Sequence, residues 1–387
     1  MLVKYKLCEL GDIFTGNTPS KKNSEFYDSK DIMFIKPDDI NNNITEIKSS
    51  KEYISNKAEK KARIVPKDSL LITCIGSIGK IAINKKESAF NQQINSIVHN
   101  EKIISSKYLA YVFKVNKQRL EAISNAPVVP IINKTQFSEF EVYIHEKKEI
   151  QQKIVYILDR AQSLIDKRKT QIEALDELVK SRFIEMFGDP VLNTKNWDMK
   201  TLSEVGSLGR GVSKHRPRNA PELLGGDYPL IQTGDVANAV LYIKEYNSTY
   251  SELGLKQSKL WEKGTLCITI AANIAKTGIL TFDACFPDSV VGFVAGDKTN
   301  NIFMYYWFSL FQKLLEDQAP ESAQKNINLK ILGGLKVIVP PIELQNQFAD
   351  FVKQVDKLKF EMEKSLKELE DNFNSLMQRA FKGELFN

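Results

Sequence analysis

The chain has little cysteine: four residues, at positions 8, 74, 267 and 285, with no Cys-x-x-Cys pair. That is too sparse for a disulfide framework, so reduced thiols and a cytoplasmic setting are expected. Three histidines, His99, His145 and His215, leave no pattern for a His-based metal site. No stretch approaches the roughly 18 uncharged apolar residues of a membrane span. Met1-Leu2-Val3-Lys4-Tyr5-Lys6 leads into no apolar run, so no signal peptide is expected. What is present is ordinary globular material, 42% hydrophobic and 26% charged over 387 residues, which excludes disorder for most of the chain. At about 100–200 residues per domain, two to three domains are expected.

Net charge is +6, and its location says more than its size. Residues 1–150 hold 24 Lys and Arg against 18 Asp and Glu, residues 151–190 balance, 191–340 carry +2 and 341–387 carry −2. A basic surplus outside the helical segments described below favours a polyanionic partner.

The chain is written twice. Residues 70–80 match residues 266–276 at five of eleven positions. Leu7, Glu9, Gly11 and Gly16 match Leu202, Glu204, Gly206 and Gly211. Ile35 and Asp39 match Ile231 and Asp235, and Tyr111, Phe113, Leu120 and Glu121 match Tyr306, Phe308, Leu315 and Glu316. Ile132-Asn133 matches Ile327-Asn328, so the offset stays within 194–196. One unit of half the chain is duplicated; a solenoid would show many short repeats.

Each copy opens with a mixed, β-rich part. Runs at 69–75, 94–98 and 140–144, and at 265–270, 290–294 and 335–339, are bounded by turn residues and predict strands. A helix is predicted near 106–123 and near 301–316. Each copy then ends in a long polar helix, over 146–187 and 343–382. Their apolar positions run Ile150, Ile154, Ile157, Ala161, Leu164, Arg168, Ile172, Leu175, Val179 and Leu344, Phe348, Phe351, Val355, Leu358, Met362, Leu366, Leu369, Phe373. The steps 4,3,4,3,4,4,3,4 are a coiled-coil seam with one stutter, placed alike in both. Neither segment holds proline or interrupting glycine, and about forty residues give rods of roughly 60 Å. Such a stripe must be buried, and the sibling rod is its natural partner, antiparallel because each rod follows its own domain. The expected pairing residues are Ile154, Ile157, Leu164, Leu175, Phe348, Phe351, Leu358 and Leu369.

Catalytic signals are weak. Gly11-Asp12-Ile13-Phe14-Thr15-Gly16-Asn17-Thr18 has the glycines of a phosphate loop without its lysine, and fits a turn better than a nucleotide site. Asp38, Glu46 and Lys48 echo a metal-dependent nuclease triad, but the second copy has Thr233-Gly234 at Pro37-Asp38. Neither an Asn-Pro-Pro-aromatic motif nor Asp-Pro-Pro-Tyr occurs, so adenine methylation is not expected of this chain, and no Ser/His/Asp arrangement is evident. The aromatic run Phe303, Tyr305, Tyr306, Trp307, Phe308 and Phe311 could stack bases, but its helical spacing favours core packing.

Basic and amide-bearing loops remain. Arg and Lys pair with guanine or phosphate, Asn and Gln with adenine. Candidate DNA-contacting residues in copy one are Ser20, Lys21, Lys22, Lys36, Ser77, Lys80, Gln92 and Gln93. Those in copy two are Arg210, Lys214, His215, Arg216, Arg218, Gln232, Asn273, Lys276, Gln324 and Lys325. The 210–219 loop is the densest cluster; the plain alternative for it is a solvated surface loop.

Gly16-Asn17-Thr18-Pro19-Ser20, Asn91-Gln92-Gln93-Ile94-Asn95, Phe187-Gly188-Asp189-Pro190 and Val339-Pro340-Pro341-Ile342-Glu343-Leu344-Gln345 stand in an order, and on a duplication, that resembles the specificity subunit of type I restriction–modification systems. The likeness runs over the whole chain. Two departures are that copy one enters its helix through Ile144-His145-Glu146-Lys147-Lys148-Glu149 without the proline pair, and that Cys285-Phe286-Pro287-Asp288 replaces Ala89-Phe90-Asn91-Gln92.

The resemblance implies an α+β chain with target recognition domains at 1–145 and 190–341 and spacer helices at 146–189 and 342–387. Each domain would read one half of a bipartite, asymmetric duplex target, and the paired helices would set the spacer. Two methyltransferase subunits would dock on this scaffold and modify one adenine in each half, and motor–nuclease restriction subunits would join for cleavage. S-adenosylmethionine, ATP and magnesium would belong to those partners, leaving this chain non-catalytic, without cofactor or metal, and free of membranes. Two other classes fit less well: a DNA-binding enzyme (a nuclease or methyltransferase half), distinguished by cofactor binding, and a coiled-coil adaptor without DNA function, distinguished by salt-dependent duplex binding.

Overall fold

A computed structural model describes residues 1–124, 129–215, 217–218, 220–271, 274–318 and 327–386. The chain forms two compact units, Met1–Lys169 with Ser365–Asn387, and Thr170–Lys364.

In the first unit, strands β1 (Leu2–Lys6), β2 (Gly11–Thr15), β3 (Ile32–Ile35), β4 (Thr45–Ile47), β5 (Glu52–Ile54), β6 (Ile64–Val65), β7 (Leu70–Thr73), β8 (Ile81–Asn84), β9 (Ser88–Phe90), β10 (Ile94–His99) and β11 (Glu141–His145) build three sheets. Their orders are β2-β10-β7-β8-β4, β5-β3-β9-β6 and β1-β11. Successive side chains of a strand point to opposite faces. On β7, therefore, Leu70 and Ile72 enter one core while Leu71 enters another. The first core includes Tyr108, Leu109, Val112 and Phe113 of the helix Ser106–Val115, and the second includes Met33, Ile35, Phe90 and Ile94. With both faces covered, β7 and β8 read as unbroken apolar runs rather than alternating ones.

The second unit repeats this plan. Its strands are β12 (Met199–Thr201), β13 (Gly206–Arg210), β14 (Leu224–Leu230), β15 (Tyr242–Ile243), β16 (Ser248–Tyr250), β17 (Leu260–Trp261), β18 (Leu266–Thr269), β19 (Thr277–Leu280), β20 (Ala284–Cys285), β21 (Val290–Ala295) and β22 (Lys336–Ile338). The orders β13-β21-β18-β19-β15, β16-β14-β20-β17 and β12-β22 reproduce those of the first unit strand for strand. Leu266 and Ile268 again face one core and Cys267 the other. The aromatic run lies on the helix Asn301–Gln318, where Phe303, Trp307 and Phe308 are buried in the core.

The long helices span Lys148–Phe187 and Ile342–Phe381. They pair antiparallel. In the first unit Ile154, Leu158 and Ile165 share a core with Phe373 and Ala380, and Lys169 reaches Glu370 at 2.8 Å. In the second, Leu175, Val179, Phe183 and Met186 meet Phe348, Ala349, Val352 and Val355, and Lys359 reaches Asp176 at 2.7 Å. Each helix closes on a glycine in the left-handed region, Gly188 at φ 75° and Gly383 at φ 79°, where a β-carbon would be strained. Each opens on a buried glutamine. Gln151 Nε2 donates to the carbonyls of Ile103 (3.0 Å) and His145 (2.7 Å). Gln345 Nε2 donates to those of Lys298 (3.1 Å) and Pro340 (2.8 Å).

The seam differs from the expected one by a residue in the first part of each rod. Ile154, Leu175 and Phe348 are buried, and Leu369 is partly buried. Leu164 is 53% exposed and Leu358 46%, while Ile157 and Phe351 are only half-buried. The buried positions are Leu158, Ile165 and Val352, and the side chain of Lys359 is largely covered as well. The cause is that Ile157-Leu158 and Leu164-Ile165 are adjacent apolar pairs, so two stripes compete. The packed one keeps an unbroken 4,3 alternation from Ile154 to Val179, and the consecutive steps of four fall later, at Leu175–Val179–Phe183.

Candidate DNA interface

The glycine-bearing segment Gly11–Thr15 is a strand paired along its length with β10, so it forms no phosphate loop. Glu46 lies within ion-pairing distance of Lys85 and Lys107, at 3.6 and 3.4 Å. Among the described residues no group of three His, Cys, Asp or Glu could hold a metal, and no helix is long and apolar enough to cross a membrane. Burial pushes the Cys74 thiol up to about 12 and raises those of Cys267 and Cys285 as well, so these sulfurs stay protonated.

In the first unit three loops meet at one end of the five-stranded sheet. The loop after β2 carries Ser20, Lys21 and Lys22, all exposed. Thr18 Oγ1 donates to Gln92 Oε1 at 2.7 Å, which ties that loop to the β9–β10 turn. The Gln93 carbonyl in the same turn accepts from the Cys74 amide at 2.7 Å, where the β7–β8 connection begins. That connection holds Ser77, exposed, and Lys80, whose Nζ is 3.5 Å from the Pro37 carbonyl. Glu52 lies against Lys36 and 3.5 Å from Lys21. Lys36 is therefore engaged within the protein, and Lys21 and Lys22 are the more open cations.

In the second unit Arg210 ends β13. Its Nε donates to the Asp288 carbonyl at 2.9 Å, and Arg218 Nη2 donates to Asp288 Oδ1 at 2.6 Å. Gln257 Oε1 accepts from the amides of Lys214 (2.7 Å) and His215 (3.0 Å). Arg210, Lys214, His215 and Arg218 thus stand on one basic segment, each tied by one of two residues not anticipated from the sequence, Gln257 and Asp288. Asp288 occupies the turn that Gln92 occupies in the first unit, so equivalent turns anchor the equivalent loops. Only the duplication offset could have pointed to it, since one aspartate in a loop carries no signal.

Gln232 lies elsewhere, before the short helix Thr233–Ala237, where its amide donates to Asp235 Oδ2 at 2.7 Å. Its counterpart is Lys36, whose amide makes the same bond to Asp39 at 2.9 Å. Lys276 Nζ donates to Gln312 Oε1 at 3.2 Å and so is directed toward the helix Asn301–Gln318. Arg216, Asn273, Gln324 and Lys325 lie outside the described residues.

A β-rich unit repeated within one chain, each copy joined to one rod of an antiparallel pair and bearing its own basic loop, is the build of a two-module reader of a polyanion. The chain belongs to the family of the type I restriction modification DNA specificity domain, whose model matches residues 2–176 and again residues 194–371. It is 24% identical over 410 residues to the type I restriction enzyme MjaIX specificity subunit of Methanocaldococcus jannaschii, covering 98% of this chain and 92% of that protein. It is 32% identical over 179 residues to the HindI specificity subunit of Haemophilus influenzae, covering 44% of this chain and 38% of that one. Among solved structures, the S subunit of a type I restriction–modification system from M. genitalium matches with a TM-score of 0.59 at 15% identity, covering 98% of this chain and 96% of that one. A chain from a study of type I complex assembly and conformational transition matches at 0.66 with 17% identity, covering 99% and 98%. At these identities the structural likeness speaks for the fold.

Proposed function

We propose that the chain works as the DNA-reading subunit of a type I restriction–modification complex, each unit reading one half of a bipartite duplex target. The observation that carries this is that one strand order occurs twice, with different side chains set on the same loops. Two loops of the fold carry Lys21, Lys22, Gln92 and Gln93 in one copy, and the equivalent two loops carry Lys214, His215, Arg218 and Asp288 in the other. Two scaffolds of one design with two chemistries suit two unlike half-sites. The basic loop supplies charge for the phosphates and donors for base edges.

On this reading the chain does no chemistry itself. Two methyltransferase subunits dock on it and modify an adenine in each half, and restriction subunits join for cleavage. S-adenosylmethionine, ATP and magnesium are theirs. The helix pair sets the spacer between the half-sites.

Neutralising Lys214, Arg216 and Arg218 to glutamine together tests the assignment. Each lost phosphate contact lowers the slope of log affinity against log salt by about one, and lost base contacts relax the sequence preference of the second half-site alone. Methylome sequencing of cells carrying the variant with its methyltransferase reads that preference. Wild-type salt slope and an unchanged methylated sequence would show the loop to be plain solvated surface.

A further inference from the structure

Arg63 and Lys259 stand at one and the same place in the repeated fold. Each immediately precedes a two-residue strand that pairs antiparallel with its neighbour in matched register: Ile64 opposite Ala89 and Val65 opposite Ser88, Leu260 opposite Cys285 and Trp261 opposite Ala284. Each cation lies over an aromatic ring. The Arg63 guanidinium is 5.6 Å from the centroid of Phe14, and the Lys259 ammonium 3.6 Å from that of Trp261.

The two rings are not equivalent residues. Phe14 belongs to β2, and the second copy has Gly209 in its place; Trp261 belongs to β17, and the first copy has Val65 in its place. The exchange is complementary. A β-carbon on Gly209 would lie 2.8 Å from the Trp261 ring, so the indole fills the room that a side chain on β13 would need. The ring has changed strands between the copies, yet both keep a cation above it.

Both cations are exposed, and among the described residues neither has a carboxylate within ion-pairing distance. An aromatic face attracts a cation without cancelling its charge, whereas a carboxylate would neutralise it. Both also adjoin the proposed DNA loops. Asn17 Nδ2 donates to the Lys61 carbonyl at 2.6 Å, and Ser258 Oγ to the Val212 carbonyl at 2.8 Å. A placed, unneutralised cation beside a loop that differs between the copies suits a contact carrying no sequence information, which is the character of phosphate contacts.

We propose that Arg63 and Lys259 are equivalent phosphate clamps, each gripping the DNA backbone of its own half-site whatever the bases. This rests on the DNA-reading assignment above. The test is binding of the full chain to a duplex of random sequence across a salt series, for Arg63→Gln, Lys259→Gln and both together. Each single variant is expected to lower the slope of log affinity against log salt by about one and the double variant by about two. Arg63→Lys and Lys259→Arg should keep the wild-type slope, which a purely structural role for the exact side chain would not predict. The methylated sequence in cells should stay the same. Wild-type slopes in both glutamine variants overturn the clamps. If the Lys214, Arg216 and Arg218 variant still lowers the slope, the DNA-reading assignment survives that failure; if no variant lowers it, both fall.

Discussion

At Gly16 a β-carbon would lie 2.2 Å from the Asn91 carbonyl oxygen and 2.4 Å from that of Phe90; at Gly211 the same contacts, to Phe286 and Pro287, are 2.2 and 2.3 Å. Backbone cannot swing aside as a side chain can, so Gly16→Ala or Gly211→Ala forces the proposed reading loop off its anchoring turn. The expected cost is about 1–3 kcal/mol, seen as a lower melting temperature by roughly 2–4 °C per kcal/mol. Gly234→Ala, where the space is open, should stay within about 0.5 kcal/mol of wild type. Equal melting of all three would refute the close approach. Two histidines give the first unit a pH response. Burial is the main cause that holds His99 below the ordinary value of 6.5, and Glu101 and Asp68 oppose it. His145 is lowered first by burial and then by the N-terminal amine, and its Nδ1 lies 2.8 Å from Tyr108 Oη. The unfolded chain therefore binds more protons than the folded one between the lowered values and 6.5. This stabilisation is fully present above that window and is lost as pH falls through it. Melting of the full chain near pH 7.5 and near pH 5.5 should show the drop, and a His99→Gln, His145→Asn variant should show a smaller one. An equal drop in the variant would place the response elsewhere.

Phe183 sits fully buried against Phe187, Phe303 and Phe348, with ring centroids 4.9, 5.5 and 5.4 Å away. Phe183→Ala should cost about 3–5 kcal/mol in denaturant unfolding, whereas Leu164→Ala, on the exposed side of the same helix, should fall within about 0.5 kcal/mol. The reverse order would restore the seam expected from the sequence. This contrast marks what the sequence could and could not convey. The duplication, both rods and their antiparallel partnership were legible, because a forty-residue pattern without proline or glycine and a repeated Leu-x-Ile-Thr run are long-range signals. The register within the rods was not, because Ile157-Leu158 and Leu164-Ile165 offer two stripes of equal hydrophobicity and only packing chooses. Most strands of the smaller sheets were also hidden, being two to four residues long. The basic loops were visible as composition. Gln257, Asp288 and Arg63 were not, since each acts through a neighbour distant in sequence, nor was Lys259, whose ring partner stands on a different strand from that of Arg63.

Over the whole molecule, the first unit depends on a segment that the chain supplies only at its end. Leu366, Leu369, Phe373, Met377 and Ala380 pack against its core, and Phe381 lies 5.4 Å from Tyr108. At an offset of 194 the first rod carries the counterparts Ile172, Leu175, Val179, Phe183, Met186 and Phe187. A fragment ending at Pro190 thus lacks the closing helix but holds a near copy of it. Two such fragments can close each other antiparallel, each lending its 172–187 stretch to the other, as a self-complementary interface permits. The fragment should sediment as a dimer at micromolar concentration and, with methyltransferase added, modify a palindrome of the first half-site. The copy is imperfect at one place that can be tested. Lys114 Nζ lies 4.6 Å from the centroid of Phe373 in the intact chain, and Val179 would stand there in the dimer. Val179→Phe in the fragment restores that ring. With two such cation–π contacts per dimer, one in each half, at about 1 kcal/mol each, it should tighten the dimer by about thirtyfold. A folded, soluble monomer at micromolar concentration would sink the exchange. A dimer that Val179→Phe leaves unchanged or weakens would mean that the fragments pair in a different register.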